Sequence, residues 1–149
     1  MPIAAVKETI PERPLTRLGL VPPFVAGLIN LRGEVVAVLD VGAMLGLGRD
    51  DRRKSRNIVI LRANLLVGAR DPRNAANRPG AGLLVDGLSG VRDVADGDLK
   101  PPPPTLAAEP ASYLDGVIAC GDPPRPLLLL APERLLGSPQ LAPYRREMR

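Results

Sequence analysis

Gly27-Leu28-Ile29-Asn30-Leu31-Arg32-Gly33-Glu34-Val35-Val36-Ala37-Val38-Leu39-Asp40 sets a short polar turn between two apolar runs. Gly33 accepts a positive φ without a Cβ clash, so the turn can be tight and the stretch reads as a β-hairpin, with strands near 24–31 and 35–39. That places Arg32 at an exposed tip between two strands with core composition. A guanidinium offers five donors on a planar head and has no pKa usable for proton transfer, so a rigid tip arginine suits recognition better than catalysis. Downstream, Asp40 is an N-cap for a short helix, Val41 to Leu45, closed by Gly46.

Outward from the hairpin, the chain is heavily punctuated. Its 149 residues hold 18 Pro and 15 Gly, which favours short strands and turns over long helices. With 45% hydrophobic residues, the chain can bury one core. Residues 3–10 read as a strand end running into one turn, broken by Pro11 and Pro14, and 15–23 as a connector. Ile58-Val59-Ile60-Leu61 and Leu83-Leu84-Val85 read as buried strands separated by a long surface loop from Gly68 to Gly82. The run 49–56 is a charged loop, either a basic patch or a solvated connector. Lys100-Pro101-Pro102-Pro103-Pro104-Thr105 reads as polyproline II, a stiff connector or an SH3-type ligand. Strands at 113–118 and 127–130 flank a turn at Asp122-Pro123-Pro124-Arg125. Pro132 then opens a short helix to Leu136, ended by Gly137, before a polar, basic, frayed tail.

Two passages share one grammar. Phe24-Val25-Ala26-Gly27-Leu28-Ile29, then a return strand, a short helix and Gly46, parallels Tyr113-Leu114-Asp115-Gly116-Val117-Ile118, then a return strand, a short helix and Gly137. The lead-ins match as well: Val6-Lys7-Glu8-Thr9-Ile10 and Val91-Arg92-Asp93-Val94 each precede prolines. This points to two similar β units from one duplication. Two strands precede the second unit, but only residues 1–5 stand before the first, which therefore lacks about one and a half strands by this logic. A truncated start, a strand supplied by a partner, or an open barrel would each account for it, and an unpaired edge invites pairing with another chain.

Composition excludes several chemistries. There is no His, so Ser-His-Asp and Cys-His sites, His metal sites and a phospho-accepting His are out. Cys120 is the single cysteine, which rules out an internal disulfide or a Cys zinc site. Gly80-Ala81-Gly82 lacks the further glycine and helix of a dinucleotide loop, and Asp50 and Asp51 sit side by side with no sign of a pocket. No catalytic residue, cofactor or metal is predicted. The net charge of +4 leaves a nucleic-acid-binding small barrel as the alternative function, but three aromatics are too few for a base-stacking platform. No apolar run approaches the ~18 residues of a membrane span, and no signal peptide is evident.

The carrying residues Pro22-Pro23-Phe24-Val25-Ala26-Gly27-Leu28-Ile29-Asn30-Leu31-Arg32-Gly33-Glu34-Val35, followed by Val38-Leu39-Asp40, resemble the CheW-like domain family of bacterial chemotaxis adaptors. Gly82-Leu83-Leu84-Val85-Asp86 and Tyr113-Leu114-Asp115-Gly116-Val117 match two further family motifs, and the resemblance covers roughly residues 3–137. It implies an all-β fold of two five-stranded SH3-like barrel subdomains, the first incomplete at its N-terminus, with short helices. One domain would span 1–140, its subdomains built largely from 1–56 and 57–137 with strand exchange left open, and 141–149 would be a basic tail. The resemblance further implies a non-catalytic, cytoplasmic scaffold linking the helical cytoplasmic tips of chemoreceptors to the regulatory domain of a chemotaxis histidine kinase, held at receptor arrays through its partners and not inserted in the membrane. The implied receptor-binding residues are Asn30, Arg32, Gly33, Val35 and Val85, Arg32 foremost, in a groove between the barrels. One departure is Ala131-Pro132 where the family carries a capping Asp.

Overall fold

The computed structural model describes residues 1–47, 56–65, 79–121 and 124–144. Among these residues seven strands form two sheets: β1 (Val6–Pro11), β2 (Val25–Leu31), β3 (Glu34–Asp40), β4 (Asn57–Arg62) and β5 (Pro79–Val85) in one, β6 (Leu114–Cys120) and β7 (Arg125–Leu130) in the other. The short helices are α1 (Val41–Met44), α2 (Ala108–Ser112) and α3 (Pro132–Leu136).

The five-stranded sheet runs β1-β4-β5-β3-β2. All neighbours are antiparallel except β3 and β5, which pair in parallel with Leu39 opposite Leu83. Strands β3, β4 and β5 are buried on both faces, hence the near-continuous aliphatic runs in the sequence. One face gathers Ile10, Ile29, Leu31, Val36, Val38, Ile58, Ile60 and Leu84. Residues of the alternate register, Leu39, Val59, Leu61 and Leu83, turn the other way and pack with Met44, Tyr113, Leu135, Leu136 and Leu141. This second cluster ties the large sheet to the β6–β7 unit. The outermost strands also meet, since Glu8 of β1 is bonded to Arg32 at the β2–β3 tip, so the sheet curls on itself.

Strands β4 and β5 lie beyond residue 56, yet they complete the sheet of the first hairpin. The first hairpin thus stands in a five-stranded sheet and is not the incomplete one, whereas among the described residues the second hairpin's sheet has two strands.

Several sequence expectations are corrected. Residues 3–10 run in the reverse order, a 3-10 turn at Ile3–Ala5 followed by strand. The loop expected to reach Gly82 ends sooner, because β5 starts at Pro79. Its glycines mark crowding and not a turn: a Cβ on Gly80 would lie 2.9 Å from the Arg62 carbonyl oxygen, and one on Gly82 would lie 2.9 Å from Ile58 Cγ2. The tail is ordered past Pro139 as a 3-10 segment to Tyr144, because Leu141 is wholly buried. Helix α2 was not anticipated. Most of the 49–56 loop, and residues 66–78 of the long one, lie outside the described residues.

Candidate functional site

The tip of the first hairpin is a two-residue turn. Leu31 pairs with Glu34, and Arg32 (φ 54°) and Gly33 (φ 88°) both adopt positive φ, the signature of a type I′ turn. Gly33 does so freely. Arg32 does not, since a left-handed conformation costs a residue with a Cβ roughly 1–2 kcal/mol. Asn30 offsets part of this by accepting the Gly33 N–H on its Oδ1 at 2.8 Å.

The Arg32 side chain is then held from the far edge of the sheet. Its Nη1 and Nη2 donate to the two carboxylate oxygens of Glu8 at 3.2 and 2.9 Å. The pair is bidentate, which fixes the plane of the guanidinium. It is also wet: the Arg32 side chain remains 75% exposed, against 22% for Glu8. An exposed pair of this kind contributes little stability, roughly 0.2–1 kcal/mol. Its main effect is orientation, and the donors not used by Glu8 point to solvent.

Beside it, Val35 is 71% exposed at the start of a strand whose next five residues are buried. Lys7, Glu8, Leu31, Arg32 and Glu34 line a shallow depression next to it. The tip thus combines an oriented cation, an aliphatic side chain standing free, and flanking carboxylates on a rigid support.

Of the sequence-derived candidates, Asn30, Arg32, Gly33 and Val35 come together here. Val85 does not join them. It ends β5 beside the Asp40 end of β3 and packs, partly buried, against the inter-unit core. Glu8 was missed: it sits 24 residues before Arg32, and only closure of the sheet brings it near. Its one sequence signal was a place in the lead-in that the repeat shares, where Asp93 is its counterpart.

Elsewhere, two further arginines are paired within the molecule. Arg56 donates to both Glu12 oxygens at 3.2 and 3.0 Å and lies 3.9 Å from Asp40. Asp40 caps α1 by accepting the Ala43 N–H at 3.0 Å. Arg134 donates to the Leu114 carbonyl at 2.8 Å and lies 3.5 Å from Asp115. Among the described residues no group of three or more Cys, Asp or Glu could hold a metal ion, and no helix is long and apolar enough to cross a membrane.

Comparison with known proteins agrees with this fold. The profile of the CheW-like domain family matches residues 1–140. Chemotaxis protein CheW of Rhizobium meliloti is 31% identical over 117 residues, 78% of this chain and 67% of that protein. Chemotaxis protein CheW of Klebsiella aerogenes is 30% identical over 143 residues, 94% of this chain and 75% of that protein. Among solved structures, the scaffolding protein TtCheW from Thermoanaerobacter tengcongensis superposes with a TM-score of 0.68 at 24% identity, covering 86% of this chain and 73% of that one. That likeness supports the fold of two SH3-like subdomains, and none of the comparisons favours nucleic acid.

Proposed function

The chain belongs to the CheW-like domain family, whose members are non-catalytic chemotaxis adaptors, and from that membership we propose that the Asn30–Val35 tip is its receptor-binding surface. The chain acts as an adaptor coupling chemotaxis receptors to a histidine kinase. The helical cytoplasmic tip of a chemoreceptor docks on this hairpin, while the kinase regulatory domain engages another face of the same molecule. The adaptor itself performs no catalysis and works in the cytoplasm, reaching the membrane only through the receptor.

The observation that carries the reading is the strained, clamped arginine. A solvated turn arginine needs neither a left-handed backbone nor a bidentate carboxylate, and the turn would be more stable with Asn or Gly in its place. Clamping by Glu8 removes rotamer freedom before a partner arrives, so less entropy is lost on binding. The remaining Arg32 donors give charge-assisted hydrogen bonds to a carboxylate or a helix-terminal carbonyl. Val35 adds apolar contact that water leaves on docking.

The test is binding of a receptor cytoplasmic fragment to the purified chain. Arg32→Ala is expected to weaken binding at least tenfold, and Glu8→Ala several-fold through loss of orientation alone, with both variants folded by circular dichroism. Unchanged affinity in both would remove the assignment.

A further inference from the structure

Among the described residues, Arg32 and Leu20 are the two non-glycine residues with a positive φ. Arg32 belongs to the site above. Leu20 (φ 58°) lies in the connector between β1 and β2, in a turn with Gly19, and its side chain is fully exposed. Both features are unfavourable. The left-handed region crowds a Cβ against the following carbonyl, and an aliphatic side chain in water forgoes burial. Neither is forced by space. Gly19 has no positive φ, and a Cβ there would meet nothing within 4 Å. Exchanging the two residues would put glycine in the left-handed position and leucine where there is room for it.

The second unit shows that the architecture does not require this. Each unit pins the loop before its hairpin with one bridge. Thr16 exchanges both backbone bonds with Leu28, each at 2.9 Å, and Lys100 does so with Val117 at 2.9 and 2.7 Å. The second loop runs from Lys100 through α2 to Tyr113. Its single leucine, Leu106, is half-buried, and none of its residues has a positive φ. Position 20 therefore gives up stability for display, as position 32 does.

The loop that carries Leu20 is stiff and basic. The Thr16 bridge closes one end, and at the other the Val25 N–H donates to the Pro22 carbonyl at 2.9 Å, with Pro22 and Pro23 fixing φ between them. Leu18, 36% exposed, stands beside the apex. Arg13 and Arg17 are exposed and have no side-chain partner among the described residues. The neighbouring carboxylate, Glu12, is engaged by Arg56. An aliphatic knob between uncommitted guanidinium groups fits an apolar pocket rimmed by carboxylates. A lipid surface fits less well. One leucine carries far less apolar area than a single acyl chain, which itself gives only marginal, reversible membrane binding.

Strand β2 sets this loop apart from the Arg32 surface. The strand leaves the loop at Val25 and reaches the turn after Leu31, a span of about 20 Å at the rise of an extended chain. An adaptor holds two partners at once, so its two surfaces have to lie clear of each other. We propose that the Leu20 loop is the docking point of the kinase regulatory domain. Leu20 enters an apolar pocket of that domain, and Arg13 and Arg17 pair with carboxylates at its rim. The assignment rests on the adaptor reading, with the receptor at the Arg32 tip.

The test is calorimetry of the full chain with the regulatory domain of its cognate kinase and, separately, with a receptor cytoplasmic fragment. Leu20→Ala is expected to weaken kinase binding at least tenfold and to leave the receptor fragment unchanged. Arg13→Ala combined with Arg17→Ala should weaken kinase binding several-fold and flatten its salt dependence. Leu20→Asn, which suits the left-handed backbone, should keep or raise the urea midpoint while losing kinase binding as fully, so that recognition is separated from folding. Kinase binding undiminished in Leu20→Ala overturns the proposal, as does an equal loss for both partners or a native chain that binds only the receptor fragment. Leu20-dependent binding of the native chain to phosphatidylserine vesicles overturns it in favour of a lipid contact. A native chain that binds neither protein removes the adaptor reading itself, and this assignment with it.

Discussion

At the scale of the residue, Arg32 sets local stability against recognition. Its left-handed backbone, at roughly 1–2 kcal/mol, costs more than its exposed ion pair with Glu8, at roughly 0.2–1 kcal/mol, returns. Asn is favoured at the first position of a type I′ turn. Arg32→Asn should therefore raise the unfolding free energy by about 0.5–1 kcal/mol, read as a higher urea midpoint at constant slope, while abolishing binding of a receptor fragment. A stability loss on this substitution would mean that the Glu8 pair outweighs the backbone strain. The positive φ at Gly33 was legible in the sequence, because a glycine in a short polar turn between two apolar runs takes that conformation without a Cβ clash. The same geometry at Arg32 was not, because only the pairing of Leu31 with Glu34 makes the turn two residues long and so demands a positive φ at both.

At the scale of the element, the two hairpins are built alike, and their glycines show why. Gly27 and Gly116 sit where a neighbouring backbone carbonyl crosses the strand at a distance no Cβ tolerates. Gly27→Ala and Gly116→Ala should each cost more than ~2 kcal/mol, the range of severe overpacking against backbone. Gly27→Ala should cost more, because its φ of 148° adds strain. Chemical unfolding of the two variants measures this, and a loss under half a kilocalorie in either would show that the bridge at Thr16 or Lys100 gives way. The helices that follow differ in a way the sequence announced. Asp40 caps α1, whereas Ala131 offers α3 no side-chain cap and Pro132 opens that helix instead. The extent of β5 was obscured because glycine, read along the sequence, signals a loop as readily as a tight contact. Only the proximity of Arg62 and Ile58 distinguishes the two.

At the scale of the whole molecule, one core joins the large sheet to the second unit, and Tyr113 sits in it with 4% exposure. Burial pushes the Tyr113 phenol above the ordinary tyrosine value of 10.0, and the Glu109 carboxylate pushes the same way. The folded state thus holds the proton more tightly than the unfolded chain. This contribution is complete below pH 10, where both states are protonated. It is lost as pH rises through the raised folded value, because the unfolded phenol ionises first. Unfolding midpoints should fall more steeply above pH 10 in the native chain than in Tyr113→Phe, and parallel curves would show that other groups dominate.

The hairpin, its short capped helix, the duplication, and the lack of any histidine or second cysteine could all be read along the chain, because each rests on local spacing or on composition. Tertiary structure decided which strands share a sheet. That choice depends on bonds between residues tens of positions apart, and it moved β4 and β5 from the second unit to the first. With them moved the expectation of an incomplete first unit: the Arg32 hairpin stands in a five-stranded sheet. The Glu8 clamp followed from the same closure, since no spacing along the chain brings β1 to the tip of β2 and β3 until the sheet curls around its core.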